Sequence, residues 1–503
     1  MEAITILNAL SINEWAFKSI TEQNTSIDEA IKRSLQFPET AEVAIITDAN
    51  NRFSFPDAVK VLPIHTFDSK SVFNAMFELA KEYRTVFFAD ADAPFLDTFL
   101  AAELFKTHKK YKAEYTFADG YPKGLAPEIL DTGLVKILAG ISDIANVKNN
   151  RTFIFDSVKQ NINSYDIETL IAPDDISDLR LEFNANSKRN FLLCNHFKTI
   201  DAKNYAALVN KNQAYLFTLP AYYAIEISAI RSVDKIYQPK INDIGSSPFL
   251  NFEKFKTIID KIVAYSDDAV VSLSIFGEPF CNKEIFSMIE YVLQQKNLSL
   301  LLETSGTELD TKSMTAIHNI VERYNAASRI FWIVMLDAAS EKKYAELTGT
   351  DEKTAEKLFK TASENVSALD KLFSGQVFPQ FVRMNENEDE LETFYRFWKE
   401  KINNVLIQKY DNLAGQIPDR RVADISPIKR NVCWHLKRDM YILQNGDVLM
   451  CREDAYEKNI AGNIFSDDLK TIREKIFKIY CDHTEKNYKG LCEHCDEYYT
   501  YNF

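Results

Sequence analysis

The stretch that decides how this chain is read opens with Cys433-Trp434 and turns at Asn445-Gly446-Asp447. It continues through Cys451-Arg452-Glu453-Asp454 and Gly462-Asn463, and closes with Cys492-Glu493-His494-Cys495. Four of these cysteines follow the pattern C-x12-G-x4-C, a gap of 40 residues, then C-x2-C. The turn within C-x2-C brings two sulfurs to one centre. Met440-Tyr-Ile-Leu-Gln-Asn-Gly-Asp-Val-Leu-Met450 reads as two short strands about a tight turn, so the hairpin returns Cys433 and Cys451 to the same place. Four converging sulfurs hold an iron–sulfur cluster or a structural zinc ion. The plainer alternative is four reduced cysteines packing as small apolar residues. Scattered core cysteines, however, have no reason to join hairpin ends to a C-x2-C pair.

The pattern Cys433…Gly446-x4-Cys451, Gly462-Asn463, Cys492-x2-Cys495 resembles a SPASM domain, the C-terminal extension of many radical SAM peptide-modifying enzymes. Two further runs, Cys433-Trp434-His435-Leu436-Lys437-Arg438-Asp439-Met440 and Cys495-Asp-Glu-Tyr-Tyr-Thr-Tyr-Asn-Phe503, are similar to the spiro-SPASM proteins. The resemblance implies an α/β protein in three parts. Residues 1–215 would form a sugar-nucleotidyltransferase-like (GT-A-like) domain, 216–425 a degenerate radical SAM-type partial (β/α)6 barrel, and 426–503 a small cysteine-rich SPASM domain. It also implies one [4Fe–4S] cluster on Cys433, Cys451, Cys492 and Cys495, with zinc as the alternative. Cys481 matches no position of the pattern and reads as a bystander.

Length agrees with about three domains, since 503 residues exceed one ordinary core. A hydrophobic share of 46% describes a packed chain, and a net charge of −14 argues against nucleic acid and anionic membrane as partners. No run approaches the roughly twenty apolar residues of a membrane span. The N-terminus lacks a basic region ahead of an apolar core, so no signal peptide is expected. The cysteine pattern suits a metal site in the reducing cytoplasm better than a disulfide framework.

In the first part, the apolar run 41–47, a helix-period segment 71–83 and the run 85–89 alternate as parallel α/β units do. The last strand leads into Asp90-Ala-Asp92. Paired carboxylates at a strand's C-terminal end can share a divalent cation such as Mg, or they can be a solvated strand end with a helix cap. Gly120-Tyr-Pro122-Lys-Gly124-Leu-Ala-Pro127-Glu128 resembles the P-x-G-x-x-x-E segment of cytidylyltransferases, and Tyr165-Asp-Ile-Glu168-Thr with Asp178-Leu-Arg180-Leu their later region. The resemblance makes Gly124 and Glu128 nucleotide or sugar-nucleotide ligands. Two departures argue against transfer. Asn8 to Glu14 has no glycine to wrap phosphate, and Asn184 stands where an aspartate would complete the metal site.

In the second part six strand-like runs recur between helices: 223–228, 269–275, 298–302, 330–336, 377–382 and 405–407. Radical SAM enzymes carry C-x3-C-x2-C after the first strand; here the corresponding residues are Arg231, Lys235 and Gln238. Guanidinium, ammonium and amide groups cannot replace thiolates on a cluster iron, so no cleavage of S-adenosylmethionine is expected. Phe276-Gly277-Glu278-Pro279 resembles the family's GGEP motif, and makes Gly277, Glu278 and Pro279 candidate ligands for an amino-bearing molecule. Glu278 is equally read as a structural turn residue, and Arg231 and Lys235 as its partners in the vacated site. Thr304-Ser305-Gly306-Thr307 and Leu336-Asp337-Ala338 occupy two further motif positions. The acidic run Asn385–Leu391 reads as the solvated start of a helix.

Three functions compete. One is a non-catalytic iron–sulfur scaffold binding a peptide, a protein or another ligand. The second is an enzyme acting on a sugar nucleotide, and the third is electron transfer through the auxiliary cluster. Loss of sulfur at Arg231, Lys235 and Gln238, and of glycine and carboxylate in the first part, puts the scaffold ahead.

Overall fold

The computed structural model describes residues 2–141, 151–239 and 247–500; Tyr501 to Phe503 of the closing run lie outside them. The chain divides into two compact units, Met1–Thr218 and Leu219–Phe503.

The first unit is built on strands β1 (Ala3–Ala9), β2 (Thr40–Asp48), β3 (Lys60–Ile64), β4 (Thr85–Asp90), β5 (Tyr115–Asp119), β6 (Glu128–Asp131) and β7 (Ile167–Ile171). Their order in the sheet is β3-β2-β1-β4-β6-β5-β7, and only β6 runs antiparallel to its neighbours. Successive strand residues point to opposite faces. Ile4, Ile6, Val86 and Phe88 therefore pack on the helices Ser69–Ala80 and Thr132–Gly140, while Ala3, Leu7 and Phe87 pack on Ser26–Ser34 and Thr98–Tyr111. Cover on both faces is why β1, β2 and β4 read as near-continuous apolar runs. β4 stops at Asp90, where the chain leaves the sheet.

The second unit holds β8 (Tyr222–Ile225), β9 (Ala269–Ser272), β10 (Leu298–Thr304), β11 (Ile330–Met335), β12 (Val377–Arg383) and β13 (Leu406–Lys409). These are the six strands read from the sequence, mutually parallel and adjacent in chain order. The tail adds β14 (Asp439–Ile442), β15 (Asp447–Leu449) and β16 (Ile460–Asn463) to the same sheet: β14 lies parallel to β8, and the other two follow antiparallel. The division expected near residue 425 thus falls between two strands of one continuous sheet. The hairpin turn closes as its residues require, with Asn445 Oδ1 accepting from the Asp447 amide at 2.9 Å. Among the described residues no helix is long and apolar enough to cross a membrane.

Candidate functional site

The β14–β15 hairpin determines where the cysteines go. Cys433 opens the short helix Trp434–Arg438, Cys451 follows β15, and Cys492 and Cys495 belong to and follow the helix Leu491–His494. Cys433 lies within electrostatic reach of the other three, and Cys451 within reach of Cys495. Burial pushes the Cys433 thiol up to about 12 and raises the other three. Backbone amides point at the sulfurs. Glu497 N–H donates to Cys495 Sγ at 3.3 Å, the Leu436 and His435 amides bond Cys433, and the Glu453 amide bonds Cys451. A buried sulfur that collects amide donors is suited to carry thiolate charge against a metal centre. Among the described residues no three His, Cys, Asp or Glu groups converge on a single-ion position. Cys481, on the helix Leu469–Thr484, has Glu485 and Asp482 as its charged neighbours.

At the strand ends of the second unit, the loop after β8 places Arg231, Lys235 and Gln238 close together. Arg231 pairs with Asp234 at 2.8 Å and donates to Pro239 O at 2.8 Å, and Gln238 Oε1 accepts from the Lys235 amide at 3.1 Å. Lys235 turns inward: its Nζ donates to Met335 O at 2.6 Å and pairs with Asp337, both side chains being fully buried. This corrects the expectation that Arg231 and Lys235 face Glu278. Asp337 holds a left-handed backbone (φ 65°) and also accepts from Tyr237 Oη and the Val382 amide, each at 2.8 Å. The acidic run leads into the helix Leu391–Ile402 as expected, with Asn385 and Asp389 exposed. Two of its residues do more: Asn387 is fully buried and donates to Asp337 O at 2.8 Å, and Glu390 accepts from the Ala339 amide at 2.6 Å, bracing the Asp337 turn.

Glu278 is buried and its carboxylate is occupied. It accepts from Thr304 Oγ1, the Ser305 amide and Ser305 Oγ, each at 2.8 Å, and burial still raises its pKa. A Cβ on Gly277 would meet Ser228 O at 1.8 Å, so the close crossing of two loops requires glycine there. Pro279 starts the single turn Pro279–Cys281.

In the first unit Asp90 and Asp92 receive a guanidinium. Arg151 Nη1 lies 2.5 Å from Asp90 Oδ2, and Nη2 lies 2.6 Å from Asp92 Oδ2. Its Nε stands 3.8 Å from Glu182. Asn184 Nδ2 donates to Asp92 at 2.9 Å and to Asp90 at 3.2 Å. Burial pushes Asp90 up to about 6 against the pull of Arg151. Burial, then the Asp90 charge, pushes Glu128 up to about 8. Gly124 (φ 88°) crosses Phe183 O so closely that a Cβ would lie 2.5 Å away. The glycine-free loop after β1 binds itself down: Asn13 accepts from the Trp15 amide at 3.0 Å and donates to Asn186 O at 2.6 Å. The sequence singled out Asp90, Asp92 and Asn184 but missed Arg151, which lies 59 positions beyond Asp92.

Residues 433–496, a span that includes all four cysteines, match SPASM, an iron–sulfur cluster-binding domain. The chain carries a match to this domain over its tail. It is 41% identical over 358 residues to an uncharacterized protein of Treponema pallidum, covering 70% of this chain and 99% of that relative, and the two belong to one family. A second uncharacterized Treponema pallidum protein is 44% identical over 70 residues, about a third of its own length. Solved structures with partial likeness include BtrN in complex with AdoMet and 2-DOIA (14% identity, TM-score 0.37, 56% of this chain and 94% of that one). A cytidylyltransferase from Leptospira borgpetersenii is similar at 14% identity and a TM-score of 0.36, over 43% of this chain and 97% of that one. Streptococcus suis SuiB bound to the precursor peptide SuiA is similar at 12% identity and a TM-score of 0.41, over 73% and 84%.

Proposed function

We propose that this protein is a non-catalytic iron–sulfur scaffold that binds a peptide, a protein or a small-molecule ligand. The observation that carries this is Lys235. Where the loop spacing would need a sulfur, the chain puts an ammonium group and neutralises it with buried Asp337. A buried ion pair cannot ligate iron, so the described loop after β8 offers no sulfur to a cluster that would cleave S-adenosylmethionine. Cys433, Cys451, Cys492 and Cys495 would hold one [4Fe–4S] cluster, and zinc is the competing occupant. When bound, that cluster would supply a rigid cross-link and a one-electron centre. The amide donors at Cys433, Cys451 and Cys495 would offset its thiolate charge. In the first unit, a GT-A-like reading of the sheet leaves Gly124 and Glu128 as nucleotide ligands. Arg151, already between Asp90 and Asp92, argues against a Mg-dependent transfer there.

Iron analysis tests this on anaerobically prepared protein. About four irons per chain are expected, lost when Cys492 or Cys495 becomes Ala. With S-adenosylmethionine and a strong reductant, the iron-loaded chain should form no 5′-deoxyadenosine. Its formation would overturn the scaffold reading.

A further inference from the structure

The parallel strands of the second unit end around a cavity of about 90 Å3. Its walls include Glu303 from β10, Gln380 from β12, Gln408 from β13, and Arg452, the residue after Cys451. Arg452 brings a half-buried cation to this space. Its Nε is out of contact with water, and no hydrogen bond or ion pair reaches its guanidinium from any described residue. Glu303 is the largest of the charges acting on it, yet the two do not touch. Glu303 itself accepts one bond, from Ser272 Oγ at 3.1 Å, and burial raises its pKa despite the pull of Arg452. Gln380 is 4% exposed, and its side-chain amide bonds to no described residue.

Opposite charges attract more strongly in a partly desolvated space than in bulk water, and a mostly buried amide gains from a partner. A cation, an anion and an amide that line one space without meeting leave room for a molecule that satisfies all three. A simple anion on Arg452 would place its charge beside Glu303 and Asp411, which also line the cavity. A simple cation would sit against Arg452. One water needs roughly 10–15 Å3, so the space has room for about six to nine waters, enough to seat the charged head of a small amino acid.

We propose that this cavity binds a small zwitterion of free amino-acid size, with its carboxylate on Arg452, its ammonium on Glu303 and its flanks against Gln380 and Gln408. The proposal rests on the scaffold reading and names the ligand class of its barrel-side cavity. The carboxylate makes a charge-assisted pair with a guanidinium already fixed in place, which favours binding because little ordering remains to be done.

The test uses the full, iron-loaded chain in anaerobic calorimetry, titrated separately with each proteinogenic L-amino acid, with acetate and with methylamine. At least one amino acid should bind, with acetate and methylamine at least about tenfold weaker. Glu303→Gln and Arg452→Gln should each weaken that binding by about tenfold or more at unchanged iron content. Should Arg452→Gln lose iron because of its neighbour Cys451, Glu303→Gln decides the matter from a strand that carries no cysteine. The proposal is overturned if no amino acid binds, if acetate binds as tightly, or if Glu303→Gln binds like the wild type. An iron-loaded chain that fails to bind refutes only the ligand assignment. A chain without iron refutes the cluster reading.

Discussion

The buried pair Lys235–Asp337 makes the sharpest prediction. Replacing Lys235 with Met keeps the length and bulk of the side chain, so no cavity opens. What changes is that Asp337, with a fully buried side chain, loses its counter-charge. Removing one member of a buried pair costs about 3–5 kcal/mol. The lower end applies here, because Tyr237 Oη and the Val382 amide still donate to the carboxylate at 2.8 Å. About 3 kcal/mol is a shift of roughly 150-fold in the unfolding equilibrium. For a unit of this size it should lower Tm by about 5–10 °C. Asp337→Asn strands the ammonium instead and should cost a similar amount; Asn tolerates the left-handed backbone at this position (φ 65°). The double variant Lys235→Met/Asp337→Asn removes both charges and should recover most of either loss, giving a coupling energy of about 2 kcal/mol or more. Scanning calorimetry on iron-loaded protein reads all three. Additive single losses, or a Lys235→Met variant melting with the wild type, would show that the two charges do not depend on each other.

Three further outcomes follow from other sites. Arg151→Gln removes the guanidinium between Asp90 and Asp92, so Mn2+ uptake should appear in the variant by electron paramagnetic resonance. The first unit should also lose about 1–3 kcal/mol, discounted for a partly exposed pair; equal Mn2+ uptake by the wild type would remove Arg151 from that position. Glu128 has its pKa raised to about 8, so folding holds its proton: its contribution is intact below the unfolded value near 4.3 and is lost as pH rises toward 8. Glu128→Gln should flatten the pH dependence of thermal unfolding between roughly pH 5 and 8 and gain about 1–3 kcal/mol at pH 8. A pH profile that parallels the wild type would contradict this. Gly277→Ala forces a methyl group against Ser228 O and should cost about 3 kcal/mol, measured by denaturant unfolding, whether or not any ligand is present. An unaffected midpoint would mean the two loops are not held so close.

Much of this was legible in the sequence because it is local. The strands of the second unit announced themselves as apolar runs such as Ile330 to Leu336, since a parallel strand buried on both faces has no polar side to display. The Asn445-Gly446-Asp447 turn and the cysteines it gathers were visible for the same reason. The contacts that give the sites their character were not, because they join residues far apart in the chain. Lys235 and Asp337 are 102 positions apart, and Arg452 reaches from the tail to a cavity walled by β10, β12 and β13. One signal was available for the first of these. A lysine at a position whose spacing calls for a buried sulfur needs a buried acid, and Asp337 already stood at a strand end. Glu278, the acid nearest the motif, was the tempting partner, but the hydroxyls of Thr304 and Ser305 and the Ser305 amide already occupy its carboxylate.

The two units, each taken by itself, resolve a similar electrostatic problem in the same way. In the second, an acidic strand end that would otherwise be a buried, unpaired charge is met by the ammonium of Lys235. In the first, a carboxylate pair at another strand end is met by the guanidinium of Arg151. Carboxylates crowded in low dielectric demand a positive charge, and either a metal or a side chain can provide it. A side chain provides charge without exchangeable coordination positions, so it preserves the fold while removing Lewis acidity and redox chemistry. Such a replacement leaves cavities and loops in place, and so is compatible with ligand binding. The cysteines at the tail are different in kind: their sulfurs collect amide donors, and the side-chain cation beside them, Arg452, turns toward the cavity. The asymmetry between internal cations at the strand ends and sulfur at the tail is the ground on which the proposed binding scaffold rests. It also makes the fate of Asp337 in the Lys235→Met variant the measurement on which that description depends.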